Sequence, residues 1–572
     1  MHDVVIIGGG PAGSTAASLL KKYAKELNVL VLEREKFPRD HIGESQLPPI
    51  NAVLNELGVW DKVEAANFPI KIGATFRWGN TRDLWDFQLY PPELFVDEPR
   101  PAKYQGQRTR TAFQVDRSQY DKILLDHSKS LGVEVREETR VVEVLREGDR
   151  IEGLKLEDGS TITGRYYIDA SGSSGFLRRQ MGVGIVEPSS LRNIAIWDYW
   201  HDTDWAFNIG TGGTRVQVMS LGYGWIWFIP IGPTRTSVGL VCPVEYFKQC
   251  GMSTEELYKK AIADEPWISE LVQNAWRENE IHTTRDWSYY ADRMHGDNWF
   301  LIGEAAGFAD PILSAGMTMA HISGKEVAYT ILALDEGKLD GEWLKDQLSE
   351  NQTRRVKQHI EFADFWYTAN GCFTDCKEFT RTIAADAGLE FDANNAFQWF
   401  ASGGFVHEHM GSGFSGCDFY SFKDTIEVLT QDSAVLECEK NNRFVLNMEG
   451  ATVDEFAFYG EGKITPIRRW KRGEATLPQS GFYYVLVQIL KVRGDLPFVF
   501  GQMARAIMDK GLRPDVDSAL AFGLGFLESM IRAGWVEASY DPSIPEYDLV
   551  VPKLSGGIRY NNDTFLEAKT PQ

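Results

Sequence analysis

Val4-Val5-Ile6-Ile7-Gly8-Gly9-Gly10-Pro11-Ala12-Gly13 decides the fold. Four branched apolar residues in a row read as a strand buried on both faces, the habit of parallel sheets. Gly8, Gly10 and Gly13 fill the positions of G-x-G-x-x-G. The first glycine permits the tight turn, the second lets backbone amides approach a pyrophosphate, and the third allows close helix–strand packing. Pro11 and Ala12 open a helix over 11–23, whose positive end favours phosphate. A second strand is predicted over 28–33 and ends in Glu33, 20 residues beyond Gly13. A carboxylate there accepts hydrogen bonds from ribose hydroxyls. The opening is therefore a βαβ unit that holds a dinucleotide.

Working outward, 572 residues exceed one compact core. We expect a core over 1–370 and a mostly helical C-terminal domain over 371–572 that covers the substrate side. Within the core, about 75–115 and 183–285 are rich in short alternating aromatic and β-branched runs and read as an inserted antiparallel substrate sheet. The helix over 519–533 followed by Gly534-Trp535-Val536 resembles a winged-helix unit. With a net charge of −22, a nucleic-acid partner is not expected. No stretch of 18 apolar residues exists, and the chain enters its first strand at once, so neither a membrane span nor a signal peptide is expected and a cytoplasmic location is. Six scattered cysteines, including Cys372 and Cys376, read as unpaired thiols, and no metal site is expected.

Two later segments specify the dinucleotide. Tyr167-Ile168-Asp169-Ala170-Ser171-Gly172 is a strand ending in an acid, and Leu301-Ile302-Gly303-Glu304 runs on through Ala305-Ala306-Gly307-Phe308-Ala309-Asp310-Pro311 into a helix. Together with the first motif these resemble the para-hydroxybenzoate hydroxylase superfamily of FAD enzymes. The resemblance implies that Asp169, Gly303, Glu304 and Pro311 line the FAD, with Glu304 standing where that family has Asp. It also implies that Arg117, in Val115-Asp116-Arg117, lies near the flavin.

Three further features narrow the resemblance to the flavin-dependent halogenases over roughly residues 1–370. Gly224-Trp225-Ile226-Trp227-Phe228-Ile229-Pro230 matches their Trp-x-Trp-x-Ile-Pro signature. Alternation puts Trp225, Trp227 and Ile229 on one face, where they can wall the flavin off from substrate. Lys71, between Ile70 and Ile72 and shortly before Phe76-Arg77-Trp78-Gly79, is similar to the catalytic lysine of that family. Gly43-Glu44-Ser45-Gln46-Leu47-Pro48 is similar to its Gly-Glu-Ser-x-Leu-Pro loop, with Glu44 as the expected partner that orients Lys71. The C-terminal part looks most like the branch typified by the chloramphenicol-pathway enzyme.

The resemblance implies a reaction. Reduced FAD from a separate flavin reductase, O2 and chloride or bromide give hypohalous acid. This acid travels a tunnel past Trp225, Trp227, Ile229 and Pro230 to Lys71, whose ammonium donates a hydrogen bond to the hypohalous oxygen or whose neutral amine forms a chloramine, for electrophilic halogenation of a small or carrier-tethered secondary-metabolite substrate. Backbone amides of Gly316 and Met317 at a helix N-terminus are candidates for the halide site, and Ser314 is either a contact at the flavin edge or a plain helix cap. Tyr367 reads as core packing or a tunnel residue, and Asp286 is a candidate for covalent flavin attachment. The alternatives are an aromatic hydroxylase that inserts oxygen directly, a geranylgeranyl-reductase-like flavoenzyme, and a flavoprotein that only binds a carrier protein.

Overall fold

The computed structural model describes residues 1–387, 419–430, 435–511, 516–545 and 558–560. Its centre is a parallel sheet in the order Trp299–Leu301, Gly164–Asp169, His2–Ile7, Val29–Leu32, Glu134–Arg136. Val4, Val5 and Ile6 are fully buried because helices cover one face and a three-stranded sheet (Val141–Glu147, Arg150–Leu156, Thr161–Ile162) covers the other. Helix Pro11–Tyr23 follows the first strand at once, with Gly10 as its N-cap and Pro11 where a missing N–H costs nothing. Its small residues let the helix Gly316–Glu336 lie close. A side chain on Gly324 would come within 2.5 Å of the Ala12 carbonyl oxygen. That contact fixes where the N-terminus of the second helix points.

The substrate sheet runs Trp276–Arg277, Arg192–His201, Arg235–Pro243, Gly224–Pro230, Gly213–Leu221, Ile70–Arg77, Trp85–Gln88, Ile558–Tyr560. It is antiparallel as expected apart from one pair. Gly213–Leu221 runs parallel to Ile70–Arg77, and the pairing slips by one residue beside Lys71: Thr214 pairs with Lys71, but Arg215 pairs with Gly73. Ile72 is thus the extra residue of a β-bulge, and a bulge reverses the alternation of side chains. Lys71 joins Ala74 and Phe76 on one face of the sheet, with Val216 and Val218 of the next strand.

The C-terminal part is less helical than its sequence suggests. Helices Gly481–Val492, Leu496–Asp509 and Val516–Arg532 are joined by a strand pair, Arg443–Leu446 with Val536–Ser539. Thr452–Gly460, Lys463–Arg472 and Ala475–Pro478 form an antiparallel meander. The meander packs on the dinucleotide-binding half: the Ala457 amide donates to Gln347 Oε1 at 3.0 Å, and Arg469 pairs with Glu350 at 3.1 Å. Among the described residues, helix Phe419–Thr430 contributes Phe422 and Thr425 to a small cavity beside the substrate sheet. Among the described residues no helix is long and apolar enough to cross a membrane.

Candidate active site

The glycine turn is built for a ligand that approaches backbone. Gly8 has φ +108°, and a side chain on it would collide with the Ala170 carbonyl; one on Gly13 would collide with Gly8 itself. Beyond Gly8, Gly10, Pro11 and Ala12 opens a cavity of about 1120 Å³, room for a dinucleotide. Glu33 lies in its wall, one carboxylate oxygen accepting from the Gly9 amide at 2.7 Å and the other from the Glu35 amide at 2.9 Å. Each oxygen keeps a second lone pair for a ribose hydroxyl. Arg34, Arg39, Arg178 and Arg179 also line the cavity and supply positive charge for phosphates, a feature with no short-range sequence signal.

At the far end lie Gly303, Glu304 and Pro311. Burial raises the Glu304 carboxyl above the usual range, and the Arg117 charge opposes that rise. Arg117 is buried in the cavity wall rather than on the surface. It grips Asp121 with two bonds, at 2.7 and 2.9 Å, and donates to the carbonyls of Ile42 at 2.8 Å and Gly43 at 3.1 Å, holding the loop that carries Glu44. Asp169 is a correction: it does not line the cavity. Its carboxylate accepts from the amides of Ser171, Leu177 and Arg178 and from the Ser171 hydroxyl, so it shapes the turn 170–175 in the cavity wall.

Trp225, Trp227 and Ile229 share the cavity-facing side of their strand, as alternation requires, while Pro230 does not reach the cavity. Trp227 lies across Gly239, where any side chain would collide with its indole, and donates to Ser237 Oγ at 3.0 Å. Trp225 donates to the Tyr367 hydroxyl at 2.8 Å. Tyr367 is thus neither a tunnel residue nor inert packing. It is a buried polar strut behind the wall.

Next to the large cavity is a small chamber of about 70 Å³ lined by Leu47, Phe87, Leu89, Phe362, Trp366 and Phe422, with Lys71 in its wall. The Lys71 ammonium is 5% exposed as a residue, and burial lowers its pKa from 10.5 to about 7. Its Nζ donates to Ser45 Oγ at 2.8 Å and to the Gln46 carbonyl at 3.1 Å. The expected Glu44 partner is a correction. Among the described residues no carboxylate pairs with Lys71, and Glu44 faces the large cavity. Burial raises the Glu44 carboxyl to about 7, opposed by the nearby hydroxyls of Ser237 and Tyr199. Ser45 and Gln46 are the partners that sequence reasoning missed, since three adjacent loop residues point to different sides.

Val216, Val218, Ile312 and Ser314 line both cavities and so form the divide between them. Ser314 is not the N-cap of the long helix Gly316–Glu336; that place belongs to Ala315, which has no capping side chain. Ser314 sits at φ +55° in the left-handed region, at the end of the short turn Pro311–Leu313. Gly316 and Met317 follow at the helix N-terminus, in the wall of the large cavity, and the first amides of a helix have no acceptor within it. Asp286 pairs by backbone with Asn193, but its side chain lies outside the described residues.

Residues 1–363 match the model of a family described as an FAD binding domain. The chain is 32% identical over 391 residues to the 1H-pyrrole-2-carbonyl-[peptidyl-carrier protein] chlorinase of Pseudomonas fluorescens, covering 65% of this chain and 85% of the relative. The chain belongs to the flavin-dependent halogenases. Another such halogenase, the tryptophan 2-halogenase of Chondromyces crocatus, is 32% identical over 345 residues, 59% of this chain and 62% of its own length. Among solved structures the halogenase fold recurs in CmlS, a flavin-dependent halogenase, with TM-score 0.72 at 24% identity over 96% of this chain and 97% of that one. It recurs also in the myxobacterial chondrochloren halogenase CndH, with TM-score 0.59 at 29% identity over 75% and 97%.

Proposed function

We propose that this halogenase makes hypohalous acid in the large cavity and spends it at Lys71 in the small one. FAD fits the large cavity by its glycine cradle, its Glu33 and its size. Gly8, Gly10, Pro11, Ala12, Arg117, Gly303, Glu304 and Pro311 would hold it, with a halide at the amides of Gly316 and Met317. Bound reduced FAD, supplied by a separate flavin reductase, would provide two electrons and two protons, with which O2, a halide ion and one further proton become hypohalous acid and water.

The chain's own residues do the rest. Glu44, near 7, holds a proton in the large cavity where one is consumed. Trp225, Trp227 and Ile229 keep the organic substrate away from the flavin, and the divide at Val216, Val218, Ile312 and Ser314 admits only a molecule as small as hypohalous acid. Neutral Lys71 has two N–H groups, both taken by Ser45 and Gln46, which leaves its lone pair for the incoming halogen. Nζ takes the halogen with loss of water and passes it to an electron-rich carbon, whose proton leaves. The apolar chamber suits the ring of a phenol or pyrrole, or an activated acyl carbon. The Pseudomonas relative is named for a carrier-tethered pyrrole, and a tethered arm is one way to present such a group here.

The observation that carries this reading is a buried amine depressed to about 7 in a chamber that shares its wall with the flavin cavity. The Lys71→Ala variant, given reduced FAD, O2 and bromide, should still oxidise the flavin yet form no brominated product by mass spectrometry. Product with the bromine isotope doublet from that variant refutes the role. Running free and carrier-loaded substrates in parallel identifies the form accepted.

A further inference from the structure

We propose that Asp310 is a positioning residue that locks the divide between the two cavities, acting through Tyr367 on the tryptophan wall. The inference rests on the reading that hypohalous acid crosses that divide.

One oxygen of Asp310 does two things at once. It accepts from the Ile312 amide at 2.8 Å, which closes the turn presenting Ile312 and Ser314 to both cavities. It also accepts from the Tyr367 hydroxyl at 3.3 Å. That hydroxyl in turn accepts from Trp225 Nε1 at 2.8 Å and from Asn193 Nδ2 at 3.3 Å. The turn side of the passage and the indole side are therefore joined through a single phenol. Asp310 is 3% exposed and Tyr367 1%, and Trp78 packs edge-on against both Tyr367 and Trp225. Burial raises the carboxyl of Asp310, and that of the nearby Asp364, which the Ser189 hydroxyl bonds. A buried carboxyl with this many partners is expensive to keep, and neither acid has any part in the chemistry above.

The device has a purpose. Ser314 is held at a positive φ that a serine adopts only when its surroundings impose it. Release of the turn would let Ser314 relax and move Ile312, opening the flavin cavity to leakage. Asp310 touches neither Lys71 nor the glycine cradle, so losing it should alter where the oxidant goes and leave its rate of formation unchanged.

The test compares Asp310→Ala, Asp310→Asn and Tyr367→Phe with the parent enzyme, all loaded with FAD. O2 uptake is followed together with halogenated product and with halogenation of monochlorodimedone, a diketone free in solution that traps escaped hypohalous acid. Asparagine keeps the carbonyl acceptor; alanine removes it; phenylalanine cuts the link to Trp225 while leaving the turn capped. We expect unchanged O2 uptake in all three. Product per O2 should fall about fivefold in Asp310→Ala and Tyr367→Phe, the scale of one lost hydrogen bond, with a matching rise in trapped halogen. Asp310→Asn should behave as the parent. Equal coupling in all four proteins, or a fall in product with no rise in trapped halogen, overturns the proposal. Should Asp310→Ala fail to fold, Tyr367→Phe against Asp310→Asn decides alone. Lys71→Ala serves as the control: absence of trapped halogen in that variant means that the underlying reading has failed, not the lock.

Discussion

Replacing Lys71 by methionine should stabilise the protein while abolishing its halogenation, and the gain should vanish as pH rises. In the folded chain Lys71 titrates near 7, against 10.5 for an ordinary lysine. Between these values the unfolded chain binds a proton that the folded chain does not, so stability falls as pH drops from 10.5 towards 7 and then levels off below 7. At about 1.4 kcal/mol per pH unit, the full penalty is about 5 kcal/mol at pH 7 or below and about 1 kcal/mol at pH 9.5. Methionine removes it but leaves Ser45 Oγ and the Gln46 carbonyl without the amine, costing about 2 kcal/mol at every pH. The variant should therefore be more stable than the parent by about 3 kcal/mol at pH 7 and no more stable at pH 9.5. Urea unfolding of the two FAD-saturated proteins at pH 6.5, 8 and 9.5 measures this difference through the midpoints. A gap that is absent, or that widens with pH, would refute the buried, unpaired amine.

Other expectations can be checked with simple variants. Halogenation rate against pH should be bell-shaped about 7, because Lys71 must lose its proton on the acid side and Glu44 must keep its own on the alkaline side; Glu44→Gln should abolish the alkaline fall, and an unchanged bell excludes Glu44. Gly8→Ala should lose FAD by absorbance after gel filtration, since its side chain would meet the Ala170 carbonyl at a backbone angle that only glycine favours. Gly239→Ala should drive Trp227 from its place, cost about 1–3 kcal/mol in unfolding, and lower product per O2; a variant as stable and as well coupled as the parent would show that the indole has room.

How far the sequence could be read depended on the distance over which each feature is determined. The glycine cradle, the Glu33 strand end and the aromatic strand were legible because each obeys a local rule: a turn that tolerates no side chain, a fixed βαβ spacing, a period of two. Lys71 was legible as a residue but not as a contact. Its true partners, Ser45 and Gln46, lie in the same loop as the expected Glu44, and which of three neighbours faces the amine follows from how the loop is pinned by Arg117. Asp169 has the look of a ligand residue, yet its oxygens are consumed by amides from 171 to 178, a pairing visible only in three dimensions. The meander of Thr452–Gly460 was missed since its strands are half-exposed and dense in charge, which blurs alternation. The division of labour between the two cavities, with valines and a strained serine as the partition, was not legible at all, because it is made by elements more than 90 residues apart.

The bulge at Ile72 carries a consequence for how such an enzyme can be lost or gained. Were the same residues paired in an unbroken ladder, the amine would turn to the opposite side of the sheet with every nearby identity intact. Loss of Ile72 together with the bulge would instead leave Lys71 on the face of Ala74 and Phe76. For this chain, the strand register beside Lys71 decides the chemistry as much as the lysine itself.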